Sequence, residues 1–257
     1  MTRTALLHSL TALSLSLLLG ISSLAGAAEL KVICTHALTP ALQQLAPGFE
    51  RSTGNKLAIV DTTTGAAMKR IQGGETADVV ILIGSAIRDL AKQGKVNPKS
   101  VKDIAYTGIS VAVRAGAPKP DISTPAALKQ TLLSAKSIAY SDPAAGGGSG
   151  IHFAKVVERL GLTDQLKSKT TLVNGAVGPL AADGKVELAV QMESELRAIK
   201  GIDIVGPLPG DLQDITLFSA GVFAGSKNAD GGKKLIKMLK SAKAAPVLKA
   251  SGLQLSK

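Results

Sequence analysis

Short apolar segments of strand length alternate with helix-like segments along most of this 257-residue chain. The first three apolar runs lie at residues 30–35, 57–60 and 79–83. Between the first two, apolar residues recur at helical spacing at Leu38, Leu42, Leu45 and Phe49. This alternation predicts an α/β fold with mostly parallel sheet pairing. Pro47 lies inside the first helix and is expected to kink or shorten it.

The alternation continues through the second half of the chain. Further strands are predicted at 109–113, 138–140, 171–173, 187–190, 202–205 and 215–223. Thr124 followed by Pro125 is typical of a helix start, so a helix is expected over 126–133. Two more helices are expected at 230–239 and 245–250. The proline- and glycine-rich segment 206–210 interrupts the pattern and suggests a crossing between two lobes.

The N-terminal segment, residues 1–27, has the pattern of an export signal. Arg3 supplies the positive charge, residues 10–21 form a short apolar core broken by serines, and residues 25–27 are small enough for cleavage. A membrane anchor needs roughly 20 apolar residues in a row, and this core is shorter. We therefore expect a cleaved leader and a mature protein in the periplasm that is not embedded in the membrane.

Charge and composition indicate an anionic partner. The chain has 30 basic and 19 acidic residues, a formal net charge of +11. Such a charge raises the local concentration of anions. No nucleic acid partner is expected, because the lysines are scattered and the chain has four Phe, two Tyr and no Trp. Cys34 is the single cysteine, so it can form no disulfide within the chain and is expected to be a buried structural thiol.

Two strand-loop-helix junctions are rich in hydroxyls and glycine, at 62–65 and 141–150. A helix N-terminus offers unpaired amide N–H groups and a partial positive charge, which suit an anion. The alternative is that both are ordinary turns and helix caps. We expect these junctions, with a serine after the third strand, to supply the ligand contacts: Thr63, Thr64, Gly65, Ser85, Gly148, Ser149 and Gly150.

Three residues at other strand-to-helix junctions are candidate proton carriers. His36 and His152, the two histidines beyond the leader, are expected to face one cleft from opposite lobes. Glu193 or Glu195 can serve as a general base or can be a first-turn acid favoured by the helix dipole. We take His36, His152 and Glu193 as the catalytic candidates. No metal-ligand spacing is present, and neither a metal nor a cofactor is expected.

Several motifs together resemble class 2 periplasmic solute-binding proteins of the molybdate-binding-like group. They are the segment 35–42 after the first strand, 64–71, 77–80, 141–143, 206–209 and 218–221. The resemblance implies two α/β lobes joined by two crossings, with a ligand cleft between them. It places lobe 1 at 29–108 plus 214–257 and lobe 2 at 109–213. It also implies a monomer that delivers a small anionic ligand to a membrane transporter.

This chain departs from the molybdate binders at two positions. Those proteins generally use a serine in the first loop and a tyrosine late in the second lobe, where this chain has Ala37 and Met192. Neither side chain donates a hydrogen bond to an oxyanion. We therefore expect a di- or tricarboxylate ligand. The alternative is the activity of a subgroup that resembles aconitate isomerase, and molybdate binding is the third hypothesis.

Overall fold

A computed structural model describes residues 28–256, so the predicted leader lies outside the described residues. The strands, numbered in chain order, are β1 (Glu29–Thr35), β2 (Lys56–Thr62), β3 (Val79–Ile83), β4 (Lys102–Thr107), β5 (Ile109–Arg114), β6 (Ile138–Ser141), β7 (Thr170–Val173), β8 (Leu188–Met192), β9 (Ile202–Pro207), β10 (Thr216–Val222) and β11 (Gln254–Leu255).

Helices connect most of these strands. They are α1 (Thr39–Thr53), α2 (Thr64–Gln72), α3 (Gly84–Lys92), α4 (Pro125–Ser134), α5 (Gly148–Arg159), α6 (Thr163–Lys167), α7 (Gly178–Ala182), α8 (Glu193–Leu196), α9 (Ala229–Leu239) and α10 (Ala245–Ala250). Thr124 caps α4 as predicted, its side-chain oxygen accepting from the Ala127 amide at 3.1 Å. Within residues 28–256, no helix is long and apolar enough to cross a membrane.

The strands form two separate mixed sheets. The order is β11-β4-β10-β3-β1-β2 in the first sheet and β7-β6-β8-β5-β9 in the second. Only four of the nine strand pairs in the described chain are parallel. The prediction of mostly parallel pairing was therefore wrong. Strands that pass directly from one sheet into the other need no helical crossover, and these strands, β4, β5, β9 and β10, pair antiparallel.

Two chain crossings join the sheets. The first runs from β4 through Gly108 into β5, and the second runs from β9 to β10. Gln213 binds one crossing to the other, because its Oε1 accepts from the Ile109 amide at 2.8 Å and its Nε2 donates to the Ile109 carbonyl at 2.9 Å. The first sheet draws its strands from 29–107 and 216–255. We call each sheet with its helices a lobe, and we propose the lobe boundaries at 108/109 and 213/214.

Two predictions about α1 and β1 can be compared with the structure. α1 continues past Pro47 to Thr53. Pro47 was expected to kink or shorten this helix, and it does not shorten it, because Phe49 on the following turn is buried in the core. In β1, Cys34 is fully buried, and burial raises the pKa of its thiol to about 12. The prediction of a buried structural thiol is confirmed.

Candidate functional site

Strand ends from both lobes meet at one cavity between them, as expected for the carboxyl ends of strands in α/β proteins. This central cavity is lined by Thr35, His36, Ala37, Thr63, Thr64, Ile83, Ser141, Asp142, Ala145, Gly147, Gly148, Ser149, Val173, Gly175, Gln191, Met192, Glu195 and Phe218. Its volume of ≈ 20 Å³ leaves room for about one water molecule. The two lobes are therefore closed on each other.

The first turn of α5 forms one wall of the central cavity. Gly147 precedes this helix and makes no side-chain capping bond, so the first-turn amides are not capped by a side chain. Gly148 and Ser149, two of the predicted ligand-contact residues, line the cavity. Gly150 does not line it, because it packs against the end of β6: a Cβ there would lie 2.1 Å from the Ser141 carbonyl oxygen. This wall offers amide N–H groups and the Ser149 hydroxyl to an anion.

The start of α2 serves two purposes. The Thr63 Oγ1 accepts from the Ala66 amide at 3.1 Å and donates to the Ala145 carbonyl of the other lobe at 2.7 Å. The Gly65 amide donates to the Gly146 carbonyl at 3.3 Å. Gly65 therefore lies in the contact between lobes and does not line the central cavity. Thr64 does line it, and its hydroxyl accepts only a long bond of 3.4 Å from the Ile83 amide.

His36 is held in place by Asp61 at the end of β2. The distance from His36 Nδ1 to Asp61 Oδ1 is 2.7 Å, and Thr39 Oγ1 donates to the same carboxylate oxygen at 2.7 Å. The hydrogen bond to Asp61 raises the pKa of the His36 imidazole. Burial opposes ionisation of Asp61, but the hydrogen bonds from His36 and Thr39 keep its pKa below the usual value. This pairing leaves Nε2 as the second ring nitrogen available for proton transfer.

Glu195 lies on the lobe 2 side of the same region and is only partly exposed. Burial raises the pKa of its carboxyl group to about 7, with His36 lowering it and Asp61 raising it further. A carboxyl group with this pKa exists in both protonation states near neutral pH, which is the requirement for a general acid and base. No group of three or more His, Cys, Asp or Glu side chains in residues 28–256 is arranged to hold a metal ion.

Three other predicted site residues lie away from the central cavity. The ring nitrogen His152 Nε2 donates to the Leu212 carbonyl at 2.8 Å. The Glu193 carboxylate pairs with Arg197 at 2.6 Å and accepts from the Ser110 hydroxyl at 3.2 Å. Ser85 is exposed near the start of α3. None of these three lines the central cavity, so we leave them out of the proposed site.

The sequence pattern did not single out Asp61 or Gln191. Asp61 ends the apolar run of β2, and a carboxylate at that junction is the one available signal. Gln191 is buried in β8, where its Oε1 accepts from the Val177 amide at 3.0 Å and its Nε2 donates to the Gly175 carbonyl at 3.1 Å. Gln191 therefore fixes the loop at 174–177 that faces the cavity.

The remaining lining residues restrict which anions can bind. Ala37 and Met192 both line the central cavity, so the two departures from the molybdate binders fall inside it. Among the described residues that line it, none is a lysine or an arginine. An anion in this cavity therefore meets hydroxyls, amides and His36 in place of fixed cations, and the carboxyl groups of Asp142 and Glu195 also line it.

Comparison with known proteins gives one family match over nearly the whole chain. Residues 30–254 match the family described as bacterial extracellular solute-binding protein. The chain is 37% identical over 232 residues to aconitate isomerase from Pseudomonas sp, covering 88% of this chain and 87% of that protein. It is 28% identical over 239 residues to the molybdate-binding protein ModA of Azotobacter vinelandii, covering 89% and 90%.

The solved structure of the Azotobacter vinelandii periplasmic molybdate-binding protein has the same fold. Its TM-score is 0.74 at 22% identity, covering 89% of this chain and 100% of that one. The two lobes, the cleft and the α/β architecture thus have a known counterpart. With a family match that spans nearly all of its described residues, the chain belongs to the bacterial extracellular solute-binding protein family.

Proposed function

We propose that this protein is a periplasmic isomerase that moves the double bond of an unsaturated tricarboxylate, such as cis- or trans-aconitate, by proton transfer. The observation that carries the proposal is the placement of Glu195, with a pKa of about 7, and the His36–Asp61 pair at one cavity. A carboxyl group that titrates near neutral pH beside a paired histidine, both in one cleft, is an arrangement that acid–base catalysis uses. The 37% identity to an aconitate isomerase supports the same reading.

The reaction needs one proton removed from carbon and one returned to a different carbon. A carboxylate conjugated with the double bond acidifies the adjacent CH₂ group, because the electron pair left behind spreads over the allylic carbons and that carboxylate. In our proposal Glu195 removes the proton and His36 stabilises the charge or returns a proton at the other carbon. Asp61 holds the His36 ring in one orientation. No group outside the chain is required to balance these steps.

The starts of α2 and α5 bind the carboxylates in this proposal. The α5 amides, Ser149 and the Thr64 hydroxyl are positioned to donate to carboxylate oxygens. Donors fixed by the fold stabilise the charge that develops during proton removal without reorganising. A tricarboxylate needs more room than the ≈ 20 Å³ of this cavity, so the lobes open to admit it, and closing on it shields the carbanion from bulk solvent.

The test is carbon-bound hydrogen exchange. Purified protein is incubated in deuterated water with cis-aconitate and, separately, with trans-aconitate. We expect the two isomers to interconvert, which mass spectrometry and proton NMR both detect. Tight binding of either acid with no interconversion and no deuterium at carbon would remove the isomerase proposal.

Delivery of a small organic anion to a membrane transporter is the second candidate function. The family match and the likeness to transporter-associated binding proteins favour it. In that case the protein is a periplasmic monomer that captures a di- or tricarboxylate and releases it to a permease. Binding without turnover in the exchange experiment would support this function over the first. Molybdate binding ranks third because of Ala37 and Met192.

A further inference from the structure

A second cavity between the lobes also reaches Glu195. This side cavity has a volume of ≈ 260 Å³ and is lined by residues of both lobes, among them His36, Gln43, Asp61, Ala176, Glu195 and Ala198. Glu195 and His36 line both this space and the central cavity. The two proton carriers therefore stand between the closed ligand space and a larger space on the other side.

A third space, the mouth cavity, is distinct from the side cavity. It has a volume of ≈ 450 Å³ and is lined by His36, Asp61, Lys69, Ala144 and others. Glu195 does not line the mouth cavity. Of these two outer spaces, only the side cavity is lined by Glu195. The mouth cavity lies between α2 and the loop before α5, so a proton path from Glu195 runs through the side cavity.

When the lobes close, a proton on Glu195 needs a route to solvent, and the side cavity provides one. Even without a ligand the central cavity has room for about one water molecule, so a substrate held between the closed lobes separates Glu195 from bulk solvent on the ligand side. The side cavity is large enough for several waters, and the Asp61 side chain beside it is 46% exposed. Waters in this space can bridge the Glu195 carboxyl group and the exposed Asp61 side chain, because both residues line it.

We propose that the side cavity is a proton-exchange route that connects Glu195 with solvent while the lobes are closed on the substrate. The inference rests on the proposed isomerase function and deepens it. Glu195 takes a proton from carbon, the electron pair moves into the new double bond, and the proton on Glu195 leaves to water in the side cavity. A solvent proton replaces it on Glu195 and is delivered to the other carbon, so charge and atoms balance over one turnover.

The experiment fills the side cavity and measures which hydrogen reaches the product. Ala176 and Ala198 are exposed, line the side cavity and do not line the central cavity. The test variants are Ala176→Leu and Ala198→Leu, and the matched control is Ala144→Leu in the mouth cavity. Each protein is incubated in deuterated water, and product is sampled by mass spectrometry at early conversion.

We expect product from the parent protein and from Ala144→Leu to carry a solvent deuteron. Product from both side-cavity variants should carry the substrate's own proton in place of a solvent deuteron. Both variants should still interconvert the isomers. Internal return in the parent protein, or unchanged labelling in both folded side-cavity variants, overturns the inference and leaves the isomerase intact. Absence of isomerisation in the parent overturns the proposed function and the inference with it.

Discussion

At the scale of single residues, Glu195 is the side chain on which the proposed chemistry depends most. Glu195→Gln keeps the size and the hydrogen-bonding capacity of the side chain but removes its ability to take a proton. We expect isomerisation to fall by about 10²–10⁴-fold. Binding of the tricarboxylate, measured by calorimetry, should persist, because the α5 wall is untouched. Turnover close to that of the parent would show that another group is the base.

Glu193→Gln is the matched control for this change. Glu193 lies two residues earlier on the same short helix, but its carboxylate pairs with Arg197 and the Ser110 hydroxyl outside the central cavity. We expect turnover close to the parent's, and a modest loss of thermal stability from the broken ion pair. A large loss of turnover with unchanged substrate binding would return Glu193 to the candidate list.

The raised pKa of Glu195 also predicts how stability depends on pH. The pKa of its carboxyl group rises from 4.5 to about 7 on folding. Between these values the native state keeps the proton that the unfolded state has lost, so the free energy of unfolding falls as pH rises. Relative to Glu195→Gln, the parent should lose stability between about pH 4.5 and about 7. Urea unfolding of both proteins across this range measures the difference, and parallel curves would contradict it.

The sequence around Glu193 and Glu195 gives no reason to prefer either residue as the general base. Both follow the apolar strand β8 and both fall in the first turn of a helix, where acids are common. The direction of each side chain depends on how a four-residue helix sits against the other lobe. Hydroxyls and glycines beside strand ends were more informative, since Thr64, Gly148 and Ser149 all line the central cavity.

At the scale of secondary-structure elements, the starts of α2 and the loop before α5 form the contact that keeps the lobes closed. A Cβ on Gly65 would lie 3.0 Å from the Gly146 Cα, so glycine permits the approach. Gly65 is not among the positive-φ glycines, and alanine there causes no backbone strain. Gly65→Ala should therefore disfavour closure and weaken apparent ligand affinity by about tenfold, equivalent to about 1.4 kcal/mol.

Small-angle scattering and calorimetry together test this closure prediction. The ligand-bound Gly65→Ala protein should have a larger radius of gyration than the bound parent. Gly48→Ala is the control, since a Cβ there meets nothing within 4 Å and the residue lies within α1. An unchanged radius and affinity in Gly65→Ala would mean that the contact between Gly65 and Gly146 does not limit closure.

Apolar periodicity predicted many of the strands and helices correctly, but it did not predict whether the strands pair parallel or antiparallel. The strand at 79–83 and the helix at 245–250 were predicted with the bounds the structure has. β4 was missed, because Lys102 and Asp103 at its start break the apolar pattern. Its place beside β10 comes from a pairing between residues more than one hundred positions apart, which local periodicity does not report.

At the scale of the whole molecule, charge and binding chemistry are separated. The net charge of +11 attracts anions from a distance, while no lysine or arginine among the described residues lines the central cavity. Long-range attraction therefore increases the rate of encounter, and neutral donors with His36 select the ligand. Raising the salt concentration should slow association much more than it changes dissociation, because only exposed charges are screened.

The closed cleft as a whole determines whether a carboxylate or the tetrahedral molybdate ion binds. Calorimetric titration measures this preference directly. We expect a binding signal with aconitate and none with molybdate, since Ala37 and Met192 provide no donor. Each buried ligand oxygen left without a donor costs about 1–3 kcal/mol.

The double change Ala37→Ser with Met192→Tyr should introduce molybdate binding and weaken that of aconitate, because it adds two hydroxyls and reduces the room for a carboxylate chain. The single change Ala37→Ser is the partial control, since it adds one donor and little volume. Molybdate binding by the parent protein, with no response to either aconitate isomer, would show that amides and hydroxyls of the α5 wall suffice for a tetrahedral oxyanion and that the two departures do not select the ligand.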